Sequence, residues 1–204
     1  GVIELALDWN DGKWTINPAD THSEVRNIRD AAGTTVASDP AIRKAVLEEH
    51  EATIAYVSQP IGSSDFPMTT YFAVVGDVGA IQPVNTAQRE YVRAYIDEFL
   101  PELTDVPVIS AMAPFKVGFA GPGDFTVIDA GPLAIRNAAD LYLYSNSVAA
   151  VKLDAADVKA WLEHSATFFN QIDPKRIDAQ ALVNKKVPSY NFDVIQGEIA
   201  YSID

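Results

Sequence analysis

Between residues 140 and 146 the chain reads DLYLYSN, and this short run restricts the fold more than any other. In an extended segment residues i and i+2 share a face, so Leu141 and Leu143 would point one way and Tyr142 and Tyr144 the other. Such a strand cannot lie over one core with its second face in water. It needs a further layer of protein, or a flat partner arriving at the tyrosine side. The expectation is a strand that ends at Ser145 and Asn146 with Tyr144 at its rim.

Other segments supply candidate layers. VIELALDW and KWTI flank NDG, and Asp11-Gly12 suits the positive φ angles of a tight turn, so residues 2–16 are expected to form a hairpin. After a polar stretch to residue 38, Asp39 is a candidate N-cap and Pro40 a first helical residue. Ile42, Val46, His50, Ile54 and Val57 then give one narrow helical stripe, closed by QPIG, with a hinge or boundary near 58–64. A second helix is read in NTAQREYVRAYIDEFLP, with Tyr91, Val92, Tyr95 and Phe99 inward and Pro101 as the stop. VPVISAMAP reads as a buried strand, and Gly118, Gly121, Pro122 and Gly123 as a loop. A third helix runs from about Ala155 to Phe169, capped by Asp154, with Val158, Trp161, Leu162, Ser165 and Phe169 inward. EIAYSID alternates Ile199, Tyr201 and Ile203 like a strand. This mixture predicts an α+β or layered mixed fold, not a plain doubly wound sheet.

Composition removes several functions. The 204 residues are 48% hydrophobic and 21% charged, enough for a substantial core in one domain or a domain with an appended piece. A net charge of −13 opposes binding of nucleic-acid polymers, which requires clustered Lys and Arg, but leaves a small anion held by one local cation open. No cysteine is present, so thiol catalysis, disulfides and thiolate zinc sites are excluded. No stretch reaches the roughly 18 apolar residues that span a bilayer, so no membrane partner is expected. Gly1 in place of Met, and the abrupt end of EIAYSID, are read as the edges of a piece of a longer chain.

Catalytic signatures are thin. His22 in DTH imitates a metal pair, yet the further His, Asp or Asn ligands are missing; His50 and His164 sit beside glutamates as surface or packing residues. No nucleophile elbow occurs, GFAGPGD fits neither phosphate-binding glycine pattern, and none of the 28 carboxylates can be singled out as a pair. No catalytic or metal-ligating residue is therefore assigned. Recognition remains: Phe115 and Lys116 end one predicted strand and Tyr144 another, an aromatic and a cation suited to a small ligand, unless the rings only plug the mouth of the core.

The long segments IRNAADLYLYSNSVAAVKLDAADVKAWLEHSATFFNQIDP and PSYNFDVIQGEIAYSID closely resemble the C-terminal domain of the 5′-nucleotidase family, in the branch of bifunctional 2′,3′-cyclic-nucleotide 2′-phosphodiesterase/3′-nucleotidases. ISAMAPFKVG and PIGSSDFPMTTYFAVVGD match the same branch. The resemblance implies a layered α/β/β/α domain over 61–204, cut short at its C-terminus. It also implies a linker or hinge helix over 39–60, and the C-terminal edge of a metallophosphoesterase domain over 1–38. It implies that hydrolysis belongs to two divalent metals (Mn, Zn, Co or Mg) in that preceding domain, this piece binding the nucleoside or nucleotide without cofactor or turnover of its own. The family's base lies between two aromatics. Tyr144 is expected to be the first, Tyr142 to pack, and the second aromatic to lie beyond residue 204. Ala113, Pro114, Phe115 and Lys116 match the branch's strand end, and Lys116 is expected at ribose or phosphate oxygens as a point charge, not a bidentate guanidinium. Ser110 and Asn146 are candidate hydroxyl and amide partners. The expected location is periplasmic or extracellular. The 5′-nucleotidase/UDP-sugar hydrolase branch, marked by an arginine at the position of Lys116, and a non-catalytic protein-binding module are the alternatives.

Overall fold

The computed structural model describes residues 1–30, 32–76 and 78–203. These form two compact units, Gly1–Thr53 and Ile54–Asp204. The division falls between Thr53 and Ile54. Among the described residues every strand pair is antiparallel, in five two-stranded sheets, so the chain is a mixed α and β protein without a doubly wound sheet.

In the first unit β1 (Val2–Glu4) and β2 (Leu7–Asn10) are separate strands, where one continuous strand was expected. The run is broken at Ala6: its carbonyl still accepts from Asn17 N at 2.8 Å, in register with the hairpin ladder, but its N–H turns to Thr21 Oγ1 at 3.2 Å. The hairpin forms between β2 and β3 (Lys13–Ile16), while β1 pairs with β4 (His22–Glu24). Asp11 and Gly12 take φ values of 48° and 77°, as the tight turn requires. Trp9 and Trp14 face each other across the hairpin, 5.1 Å between ring centroids and T-shaped, a cross-strand pair that pins the register.

The predicted helix after residue 39 is two helices, α1 (Pro40–Ala45) and α2 (Leu47–Val57). Asp39 caps the first as expected, its Oδ1 accepting from Ala41 N at 2.7 Å and Ile42 N at 3.2 Å. Val46, at φ −109° and ψ 6°, breaks the stripe, and Ile42, Val46 and Ile54 are exposed.

The second unit carries β5 (Pro60–Ser64), β6 (Met68–Thr69), α3 (Gln82–Phe99), β7 (Ser110–Met112), β8 (Val127–Ile128), β9 (Gly131–Ala134), α4 (Ile135–Leu141), α5 (Ala155–Ala166) and β10 (Val194–Gln196). Its sheets are β5 with β9, β6 with β8, and β7 with β10. Two apolar clusters form around them. Met68, Ala80 and Ile128 gather Leu133 and Leu141; Ala73, Ile81 and Met112 gather Phe115, Val117, Tyr142 and Val194.

Three expectations are corrected here. The inward face of α3 is not the aromatic stripe: Tyr91, Tyr95 and Phe99 are exposed, and Asn85 and Ile96 are buried. Polar donors occupy the packed side because they serve strand and loop carbonyls. Asn85 Nδ2 donates to Val194 O at 3.2 Å, Arg89 Nε to Val108 O at 3.1 Å, and the Arg93 guanidinium to Thr104 O and Val106 O, each at 2.8 Å. DLYLYSN is not a strand, since Asp140 and Leu141 complete α4 and Tyr142 is its extended cap. Residues 198–203 of EIAYSID are not one either, Asp204 lying outside the described residues. Gly197 turns the chain at φ 146°, where a Cβ would meet Ile109 Cγ2 at 2.8 Å, and the Tyr201 hydroxyl returns to accept the Ile195 N–H at 3.0 Å.

Local helix signals fare better at α5. Asp154 Oδ1 accepts from Ala156 N and Asp157 N at 2.8 and 3.0 Å, and Asp157 Oδ2 accepts in return from Asp154 N at 3.1 Å. The helix docks through Ser165, whose Oγ accepts from Asp193 N at 2.7 Å, and Trp161, whose Nε1 donates to Asp193 Oδ2 at 2.7 Å. Just beyond it Phe168, fully buried at 0% exposure, stacks on Phe192 with centroids 5.1 Å apart.

Replacing Asp154 by Ala removes both accepting contacts and is expected to cost about 1 kcal/mol, read as a lower urea midpoint at unchanged slope. Gly118 has φ 86°, and a Cβ there would stand 2.5 Å from Phe125 Cζ, whereas one at Gly123 would meet nothing within 4 Å. Gly118→Ala is therefore expected to lower stability by more than about 1 kcal/mol and Gly123→Ala by less than about 0.5 kcal/mol, a contrast calorimetry resolves.

Candidate functional site

The candidate residues converge where the chain leaves β7 and where it leaves α4. Phe115, three residues past β7, is half-buried against the second apolar cluster. Its ring stands 5.1 Å from Tyr142 and 5.3 Å from Tyr144, both edge-to-face at 88° and 78°. Such contacts fix ring orientation beyond what burial alone does. Tyr142 packs into the cluster, while Tyr144 is 59% exposed. The rings are thus graded from core to surface, with Tyr144 outermost.

Asn146 joins them, its Nδ2 donating to the Tyr142 hydroxyl at 3.1 Å and its backbone N–H to Tyr144 O at 3.0 Å. These two bonds close a short turn around Tyr144. The sequence placed Asn146 beside the ring, and the structure gives it that turn.

Lys116, the next residue after Phe115, forms an ion pair with Asp140, Nζ to Oδ1 at 2.6 Å, with 22% and 33% of the two side chains exposed. Asp140 is further held by its backbone, since Thr126 Oγ1 donates to Asp140 O at 2.9 Å. Thr126 is buried and exchanges bonds with Thr70, N–H to Thr70 Oγ1 at 2.9 Å and carbonyl from Thr70 N at 3.1 Å. Asp140 and Thr126 were not picked out in the sequence. With 28 carboxylates in the chain and its partner 24 positions from Lys116, nothing local marks the pair.

Ser110 lies apart from the rings in its bonding. It is 7% exposed on β7 and donates to Gln88 Oε1 of α3 at 2.5 Å, a strand-to-helix bond. The glycine segment closes on itself: Gly118 N donates to Asp124 O at 2.7 Å, Ala120 N to Asp124 Oδ2 at 3.0 Å, and Asp124 N to Gly121 O at 3.0 Å. Its amides are answered by a carboxylate and carbonyls of the same loop, which suits a loop and not a phosphate cradle.

No group of three or more His, Cys, Asp or Glu among the described residues is arranged to hold a metal ion. His22 has Glu4 at 3.1 Å as its charged neighbour, on the exposed β1–β4 pair. A two-metal centre does not fit these side chains. No helix among the described residues is long and apolar enough to cross a membrane.

No family profile and no solved structure matches the chain. Among curated proteins it is 44% identical over 209 residues to the 2′,3′-cyclic-nucleotide 2′-phosphodiesterase/3′-nucleotidase of Salmonella typhimurium and 42% identical over 209 residues to that of Yersinia enterocolitica. It is 41% identical over 205 residues to the trifunctional nucleotide phosphoesterase protein YfkN of Bacillus subtilis. Each match takes in 100% of this chain, which spans only 32%, 31% and 14% of the length of those relatives, respectively. Matched from end to end at such identities, the chain is similar throughout its length to one part of 2′,3′-cyclic-nucleotide 2′-phosphodiesterase/3′-nucleotidases.

Proposed function

We propose that this chain is the nucleoside-recognition part of a metal-dependent phosphoesterase that hydrolyses 2′,3′-cyclic nucleotides and 3′-nucleotides. The observation that carries the reading is Tyr144. A tyrosine 59% exposed, held edge-to-face by a half-buried Phe115 whose chain neighbour Lys116 pairs with Asp140, suits a base stacking on its ring. Tyr144, Phe115 and Asn146 form the aromatic side of this site, and Lys116 the polar side. Ser110 serves it from behind by fixing β7 to α3 through Gln88. The full-length likeness to proteins named for nucleotide chemistry favours a nucleotide over other flat ligands.

Within the same reading, residues 1–38 are the edge of a metallophosphoesterase domain, 39–60 the hinge, and 61–204 a layered α/β/β/α domain. Two divalent metals carried by the preceding domain would polarise the phosphate and supply hydroxide. The protein works in the periplasm or outside the cell. A protein-binding module is the second reading, favoured by the exposed Tyr91, Tyr95 and Phe99 on one side of α3.

Calorimetric titration with adenosine separates the two. Nucleoside recognition requires saturable binding that Tyr144→Ala weakens about 5- to 150-fold, the equivalent of losing one base stack, and that Tyr144→Phe leaves within about twofold. Heat absent at millimolar adenosine, or binding indifferent to Tyr144→Ala, overturns it. The purified chain is also expected to release no phosphate from 3′-AMP with added Mn²⁺; turnover by pure protein would overturn the assignment of hydrolysis to the metal domain.

A further inference from the structure

Lys116 is not a lone cation. Its ammonium is 2.6 Å from Asp140 Oδ1, and the pair is part-buried next to the rings, Lys116 following Phe115 and Asp140 preceding Tyr142 by two residues. Asp140 is held from two directions, by Lys116 at its carboxylate and by buried Thr126 at its carbonyl. Among the described residues no donor reaches Asp140 Oδ2, and the side chain is 33% exposed. We propose that Asp140 is a specificity-determining residue: it cancels the charge of Lys116, so that the site takes the neutral hydroxyls of a nucleoside and disfavours a phosphate placed there. This rests on the nucleoside-recognition reading.

The chemistry follows from charge and donor count. A free ammonium offers three donors and a positive charge, and a phosphate satisfies both. Paired with a carboxylate, the same ammonium has lost one donor and most of its field at a distance, while the carboxylate contributes an acceptor. A sugar hydroxyl, which donates and accepts at once, matches that combination: it can donate to the carboxylate and accept from a remaining ammonium hydrogen. A phosphate near the pair would meet Asp140 as a like charge, within a chain already at −13. The arrangement suits an enzyme in which the phosphate must be left for another group to hold.

The test is a set of dissociation constants for adenosine, 3′-AMP and 5′-AMP with the unaltered chain, Asp140→Asn, Lys116→Met and Tyr144→Ala, at two salt concentrations. The unaltered chain is expected to bind adenosine at least as tightly as either monophosphate, with little dependence on salt. Asp140→Asn is expected to move the affinity ratio at least tenfold toward one of the monophosphates and to make that binding salt-sensitive. Lys116→Met should abolish any such gain when combined with it. A merely structural Asp140 would weaken all three ligands together. A preference of the unaltered chain for a monophosphate above tenfold overturns the proposal without recourse to any variant. So does a ratio that Asp140→Asn leaves within twofold while adenosine binding still depends on Tyr144. If adenosine binding is missing or independent of Tyr144, the nucleoside reading itself falls, and this inference with it.

Discussion

Leu141 and Tyr142 are consecutive, yet they pack into different apolar clusters, Leu141 with Met68, Ala80 and Ile128, and Tyr142 with Ala73, Ile81 and Met112. This is possible because α4 ends between them. The last helical residue directs its side chain to one cluster, and the extended cap after it turns the next side chain to the other. Everything at the candidate site is placed by that change of conformation. Asp140 sits on the helical side of it, opposite Lys116, and Tyr144 and Asn146 sit on the extended side, against Phe115 and Tyr142.

A continuous strand at this point would have put Tyr142 and Tyr144 on one face at equal depth. The helix end grades them instead: Tyr142 is packed and Tyr144 is left in the open. Phe115 connects the two, because its ring meets both edge-to-face. An outer ring held by a half-buried one has less rotational freedom left to lose than an unsupported surface tyrosine.

On the opposite side of the second cluster, α3 meets the strands through polar atoms. Asn85, at 0% exposure, donates to a carbonyl of β10, and Arg89 and Arg93 donate to carbonyls leading toward β7. Three side chains thereby answer backbone acceptors of β10 and of the loop that leads into β7. The aromatic residues of α3 are displaced to the outer side as a result. Counting hydrophobic residues at helical spacing finds the helix but assigns its faces wrongly, since the groups that need the packed side are amides and guanidinia.

What the sequence determined alone was what a few neighbouring residues decide. Asp39 and Asp154 announce their helices because a cap bonds to amides two or three residues away, and Asp11-Gly12 announces its turn because the constraint is on its own φ angles. Long collinear likeness pointed to the family and put Tyr144, Phe115 and Lys116 forward, with Asn146 proposed only from its place beside Tyr144. The tertiary structure decided the partners that lie far off in the chain: Asp140 for Lys116 across 24 residues, and Val194 for Asn85 across 109. It also decided that the leucine-tyrosine run would end a helix. Alternating apolar residues satisfy a strand and a helix end equally well until the position of two separate cores selects between them.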